Sequence, residues 1–158
     1  MVVPHRESEQ LRTHHVAPYG YPLLATYGQR VAGHLIDIGI PAALFAVAII
    51  AGLMTRNWAI VFLVHGLATI ATVAFVVWNC GWRQGRSGQS LGKRVLGIQL
   101  IAVDTGQPVG VGRSFGRQVA HLIDGLPLAL GYLWPLWDER HQTFADKMCG
   151  TLVVQADV

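Results

Sequence analysis

Eight residues recur in this chain almost unchanged. Residues 30–37 read ArgValAlaGlyHisLeuIleAsp, and residues 117–124 read ArgGlnValAlaHisLeuIleAsp. On a helix, Arg at i, His at i+4 and Asp at i+7 fall on successive turns of one face, within about 10.5 Å of rise. Each copy would therefore present a cation, an imidazole and a carboxylate in one stripe, groups suited to binding an ion or passing a proton. Asp37 would lie roughly 10 Å deeper than Arg30, so a bond within one copy is strained. The expectation is pairing across copies: Asp37 with Arg117 or His121, and Asp124 with Arg30 or His34, in one buried polar cluster. The competing reading is that the pairs only pack one segment onto another, as polar side chains do in membranes. Outside these eight residues little further repetition is read.

Other chemistry is sparse. The stretch GlyArgSerGlyGlnSerLeuGlyLysArg (85–94) resembles a phosphate cradle but fails as one, because Ser87 stands where the first glycine belongs and Arg94 where Ser or Thr belongs. It reads as a flexible basic loop suited to anionic lipid headgroups. His65 reads as a packed, hydrogen-bonded residue about 10 Å away in depth from Asp37. Cys80 and Cys149 have neither metal spacing nor an activating neighbour. No HExxH helix or CxxC pair is present. The expectation is a protein that is not an enzyme, with no cofactor, no metal and no nucleic-acid partner.

The elements that must carry the stripes are membrane helices. Of 158 residues 52% are hydrophobic and only 13% charged, where soluble domains carry about a quarter charged. Residues 35–54 and 58–78 are apolar runs of 20 and 21 residues, the length that crosses a ~30 Å hydrocarbon core, and the second has a tryptophan at each end. With their flanks they define spans at about 33–54 and 58–79 in a membrane domain over 27–154, behind a loose N-terminal tail, 1–26, that lacks a signal-peptide core. Arg6, Arg12 and Arg30 precede the first span, Arg56 alone separates the spans, and six basic residues lie in the loop 81–117. The positive-inside rule then sets the N-terminus and that loop in the cytoplasm.

A third apolar stretch, 118–137, holds His121 and Asp124 and is broken by Gly125, Pro127, Gly131 and Pro135. It either crosses fully or re-enters. Two β-like segments, 93–103 and 150–154, favour re-entry, because they could pair only on one side of the membrane. The expected fold is an all-α membrane protein with two transmembrane helices, a third broken or re-entrant apolar helix and a short β-like pairing.

The pattern resembles the RDD family of small bacterial membrane proteins, named for an arginine and two aspartates. The matching residues are Arg30 and Asp37 at the first span, the block 88–98 with Gln89, Ser90, Gly92, Lys93 and Arg94, and the closing segment 140–154 with Gln142, Thr143, Asp146 and Lys147. Arg30 and Asp37 would carry the R and the first D; Asp146, with Asp124 as competitor, would carry the second. The resemblance implies a bacterial plasma-membrane location and a transport-related function, with ion, proton or small-ligand movement. The alternative is a non-transporting accessory or assembly subunit. A chain with two firm spans cannot easily enclose a translocation path, so a homo-oligomer or a larger membrane partner is expected.

Overall fold

Thr26 and Gln29 form a reciprocal capping box that starts the first long helix, α1 (Tyr27–Met54). Three residues later Asn57 caps the second, α2 (Trp58–Ser87), whose Val77–Arg83 stretch is π-helical. The computed structural model describes residues 22–126 and 130–156. The tail read at 1–26 thus lies mostly outside the described residues, as does Pro127. The expected fold class is borne out: two long apolar helices, a broken apolar pair and a small antiparallel sheet.

The two long helices bury little of themselves within the chain. Only 11% of the most apolar window of α1 and 6% of that of α2 is buried, and Leu53, Phe62 and Ile70 are 82%, 73% and 67% exposed. A water-soluble chain would not leave so much contiguous apolar surface uncovered, whereas lipid covers it without cost.

Both helices feed a small polar head at one end. After α2 come α3 (Leu91–Val95) and β1 (Ile98–Ala102); then α4 (Val111–Gly125), α5 (Leu130–Leu133), α6 (Phe144–Cys149) and β2 (Thr151–Gln155). The two strands pair antiparallel, with Ile98 opposite Gln155 and Ala102 opposite Thr151. The segment entering α1 joins the same sheet, since Ala25 N–H donates to the Val153 carbonyl at 3.0 Å and Gln155 N–H to the Leu23 carbonyl at 2.7 Å. Ala25, Ile98, Leu100, Ala102, Val109 and Val153 form the head's main apolar core.

Three expectations need correction. The basic stretch 85–94 is not a flexible loop but folded backbone packed at close range: a Cβ on Gly85 would lie 2.5 Å from Val111 Cα, and one on Gly92 would lie 1.9 Å from the Gly33 carbonyl oxygen. The loop read at 81–117 ends instead in the first two turns of α4, which begins at Val111. The second helix runs on to Ser87, past the span limit read at 79, because Asn79, Gly81, Gln84 and Gly85 are buried against the head rather than released to a loop.

The third apolar stretch divides into α4 and the helical run Leu130–Leu136, bent by 107°. It leaves the sheet after β1 and returns to it at β2, and Val103 N–H donates to the Gly150 carbonyl at 2.9 Å. The two β-like segments thus pair as expected, although residues 91–95 are helical rather than extended.

Candidate functional site

Three leading amides of α3 would be left without partners by the helix itself. Ser90 Oγ accepts from Lys93 N–H at 3.3 Å, Asn79 Oδ1 from Leu91 N–H at 2.8 Å and Asp37 Oδ1 from Gly92 N–H at 2.9 Å. Asp37 also receives Asn79 Nδ2 at 2.8 Å and Ser90 Oγ at 2.6 Å. The buried carboxylate is therefore held by three neutral donors, and it ties α1, α2 and α3 together. Asn79 reaches it from the π-helical stretch of α2. One turn beyond Asp37 stands Pro41, whose missing N–H leaves the Asp37 carbonyl without its usual helical donor.

The same construction occurs again around α6. Thr143 Oγ1 accepts from Asp146 N–H at 3.1 Å, and Asp124 Oδ1 reaches across from α4 to accept Ala145 N–H at 3.1 Å. Ala145 is the second residue of α6, as Gly92 is of α3. Gln142 Nε2 donates to the Thr151 carbonyl at 2.8 Å, as Gln89 Nε2 does to the Ile98 carbonyl at 3.1 Å. Gly97 and Gly150 each break their helix into the following strand at φ 61° and 59°. Residues 89–98, GlnSerLeuGlyLysArgValLeuGlyIle, thus correspond position by position with 142–151, GlnThrPheAlaAspLysMetCysGlyThr.

The repeat is consequently not confined to eight residues. Each ArgXaaXaaXaaHisLeuIleAsp helix sends its aspartate to the second amide of a capped short helix, which leads through glycine into one strand of the shared sheet. The sequence carries this signal as 89–98 within the block 88–98 and 142–151 within the closing segment 140–154, obscured because Ser/Thr, Leu/Phe and Gly/Ala replace one another between them.

Where the units differ, the charge differs. The third residue is Lys93 in α3 and Asp146 in α6. Asp146 is fully buried; Arg30 pairs with its Oδ2, Arg117 Nε donates to its Oδ1 at 2.7 Å and Thr151 Oγ1 donates at 3.0 Å. Burial alone raises this carboxyl, but the Arg117 and Arg30 guanidiniums overcome that and hold it well below the usual carboxylate range. Arg30 also donates to the His141 carbonyl. Among the described residues Lys93 Nζ donates to Gln84 Oε1 at 2.8 Å. Burial first, and the Arg117 charge second, draw its ammonium down to about 8.

The pairing expected across copies is corrected accordingly. Asp37 meets neither Arg117 nor His121, and Asp124 meets neither Arg30 nor His34; His121 Nδ1 instead donates to Asp124 of its own helix at 2.6 Å. Both aspartates are drawn to helix amides, and the two arginines converge on the one carboxylate left over, Asp146. Arg94 is exposed, and Lys147 pairs with Asp138. His65 donates to the Val61 carbonyl at 2.9 Å and packs against Gly52, at the end of the helices remote from Asp37.

A cavity of about 620 Å³ opens beside α1. Arg30, His34, Asp37, Lys93, Arg117 and His121 line its head end. Tyr132 of α5 stands between two imidazoles there, its ring centroid 6.5 Å from that of His34 and 5.6 Å from that of His121. Asn79, Gln84 and Tyr132 were not singled out from sequence, since single polar residues at apolar helix ends carry no spacing signal. Among the described residues, no group of three or more His, Cys, Asp or Glu side chains could hold a metal ion.

A family model described as RDD family matches residues 24–150. The chain is 47% identical over 92 residues to a proline-rich antigen homolog of Mycobacterium tuberculosis, covering 58% of this chain and 38% of that protein. It is 43% identical over 98 residues to a proline-rich antigen of Mycobacterium leprae, covering 62% and 39%. The protein YxaI of Bacillus subtilis is 31% identical over 65 residues, covering 41% and 42%. The chain thus spans about two fifths of the length of these relatives. No solved structure matches.

Proposed function

On the footing that the chain belongs to the RDD family of membrane proteins, we propose that it serves a transport-related function, taking a small ligand into the cavity beside α1. One observation carries this reading: a cavity of about 620 Å³ has Arg30, Asp37, Lys93 and Arg117 at the head end of otherwise apolar helices. Ionisable groups at such depth face water-filled or ligand-filled space in working membrane proteins. In this reading the basic head lies in the cytoplasm. Two spans do not enclose a path, so the chain works as an oligomer or within a larger complex.

A second reading, an accessory subunit, draws on the exposed small residues Gly39 and Ala43, which offer another helix a close approach. The test is the mass of the intact complex from native membranes in gentle detergent, followed by sodium and proton flux in proteoliposomes. A homo-oligomer whose flux disappears in Asp37→Asn supports transport. A larger protein present at fixed stoichiometry, without flux by this chain alone, supports the accessory role.

A further inference from the structure

We propose that the cavity beside α1 binds an anionic amphiphile, a molecule with a phosphate-type head and a single apolar chain lying between α1 and α2. This deepens the transport reading by naming the class of ligand, and it rests on that reading for what becomes of the ligand after binding.

The polarity of the cavity is divided along its length. The α1 residues that line it run from Arg30, His34 and Asp37 to Pro41, Ala42 and Phe45. Arg30 and Phe45 are 15 residues apart in one helix, about 22 Å of rise. The far half is completed by Thr72 and Val76 of α2. Thr72 Oγ1 is buried there without a hydrogen-bond partner among the described residues, a hydroxyl free to donate to an ester or ether oxygen. The rim residues Leu35, Ile38 and Val76 are 63%, 48% and 38% exposed, so the mouth opens sideways on the surface that faces lipid. A ligand entering from the bilayer would place its chain against Phe45 and its head toward Arg117. A freely diffusing ion has no use for the apolar half.

The head end is cationic because the two units are unlike at one position. Where α6 supplies Asp146 to quench Arg30 and Arg117, α3 supplies Lys93. Arg30, Lys93 and Arg117 line the cavity; Asp146 answers Arg30 and Arg117 from behind the wall and the lining carboxylate of Asp37 is held by neutral donors, so Lys93 is the lining cation without a carboxylate partner among the described residues. Asp124 is turned onto α6 and is not part of the wall. Arg117 gives Nε to Asp146, and its two terminal nitrogens make no hydrogen bond among the described residues. Those nitrogens and the Lys93 ammonium are donors suited to phosphate oxygens. Burial first, and the Arg117 charge second, lower the affinity of Lys93 for its proton, and a bound anion would relieve the second of these.

The test uses the whole protein in a neutral maltoside detergent and three probes: monododecyl phosphate, inorganic phosphate and dodecyltrimethylammonium. Native mass spectrometry reads stoichiometry, and the concentration dependence of thermal unfolding reads affinity. The expected result is one dodecyl phosphate per chain, bound at least about a hundredfold tighter than inorganic phosphate, since several buried methylenes contribute. Lys93→Gln should weaken it about tenfold, the loss of one charge-assisted bond. Ala42→Trp, which fills the apolar half away from the polar network, should abolish binding of dodecyl phosphate and leave that of inorganic phosphate unchanged. Arg94→Gln, outside the cavity, should change nothing. If Lys93→Gln does not fold, Ala42→Trp and the choice among the probes still decide. Preference for the ammonium probe, equal binding of inorganic phosphate, or binding indifferent to Ala42→Trp would each overturn the proposal. These are equilibrium measurements, so they can fail while flux persists, and flux can fail while they succeed.

Discussion

Asp146 and Asp37 are both buried carboxylates, yet they stand in opposite electrostatic situations. Asp146 neutralises Arg30 and Arg117, whereas Asp37 is met only by an amide, a hydroxyl and a side-chain carboxamide. Asp146→Asn would leave two buried guanidiniums without a counter-charge and should lower stability by about 3–5 kcal/mol. Asp37→Asn should cost less, about 1–3 kcal/mol, because only hydrogen-bond complementarity is lost; chemical unfolding of both variants in detergent measures the order. The pH dependence follows with a definite sign. A carboxyl held below its unfolded pKa of about 4 contributes stability that is present above that pH and lost as acid brings it toward its folded value. The acid slope should therefore shrink in Asp146→Asn. Lys93 acts at the other end: its ammonium titrates near 8 when folded and near 10.4 when unfolded, so its contribution to stability rises between those values. The difference between wild type and Lys93→Gln, measured by thermal unfolding from pH 7 to 10.5, should show that rise.

Among the elements, α3 and α1 meet backbone to backbone at Gly92 and Gly33, because the Asp37 cap on Gly92 N–H leaves no room for a side chain between the helices. Gly92→Ala would bring a methyl to 1.9 Å from a backbone oxygen, which cannot rotate away, and should destabilise by about 1–3 kcal/mol or more. Gly39→Ala, with nothing within 4 Å of the new carbon, should leave stability unchanged or raise it by up to about 1 kcal/mol. Unfolding midpoints of the pair separate packing from the helix-propensity gain that both share. This also explains what the residues alone could tell. The two spans were legible because lipid imposes length and apolarity on a continuous stretch, and the strands because β-branched residues flanked by glycine have few other uses. The aspartates' partners were not, because a side chain seeks the least satisfied donor within reach. Those donors were amides of helices too short to have a periodic signature. The cavity was likewise hidden, since Arg30, Lys93 and Tyr132 come together from segments far apart in the chain.

For the molecule as a whole, the paired strands constrain topology more tightly than hydropathy does. β1 precedes the third apolar stretch and β2 follows it, and the two exchange hydrogen bonds across their full length. A sheet cannot be shared across a bilayer, because every amide in hydrocarbon needs a partner within its own segment or in a closed barrel. The stretch 111–149 leaves that one sheet and returns to it, and the prediction is that it stays on one side of the membrane, with the apolar face of α4, including Val119 and Leu122 at 66% and 70% exposure, against the membrane surface. Three single cysteines on exposed sites test this: Thr105→Cys between β1 and α4, Glu139→Cys after α5, and Asn57→Cys in the turn between the long helices. With a membrane-impermeant maleimide on intact cells and then on opened vesicles, the first two should label together from one side and the third from the other. Full crossing of the third stretch would instead move Glu139→Cys to the side of Asn57→Cys and require the sheet to be broken. Labelling of all three from one side would remove α1 and α2 from the bilayer.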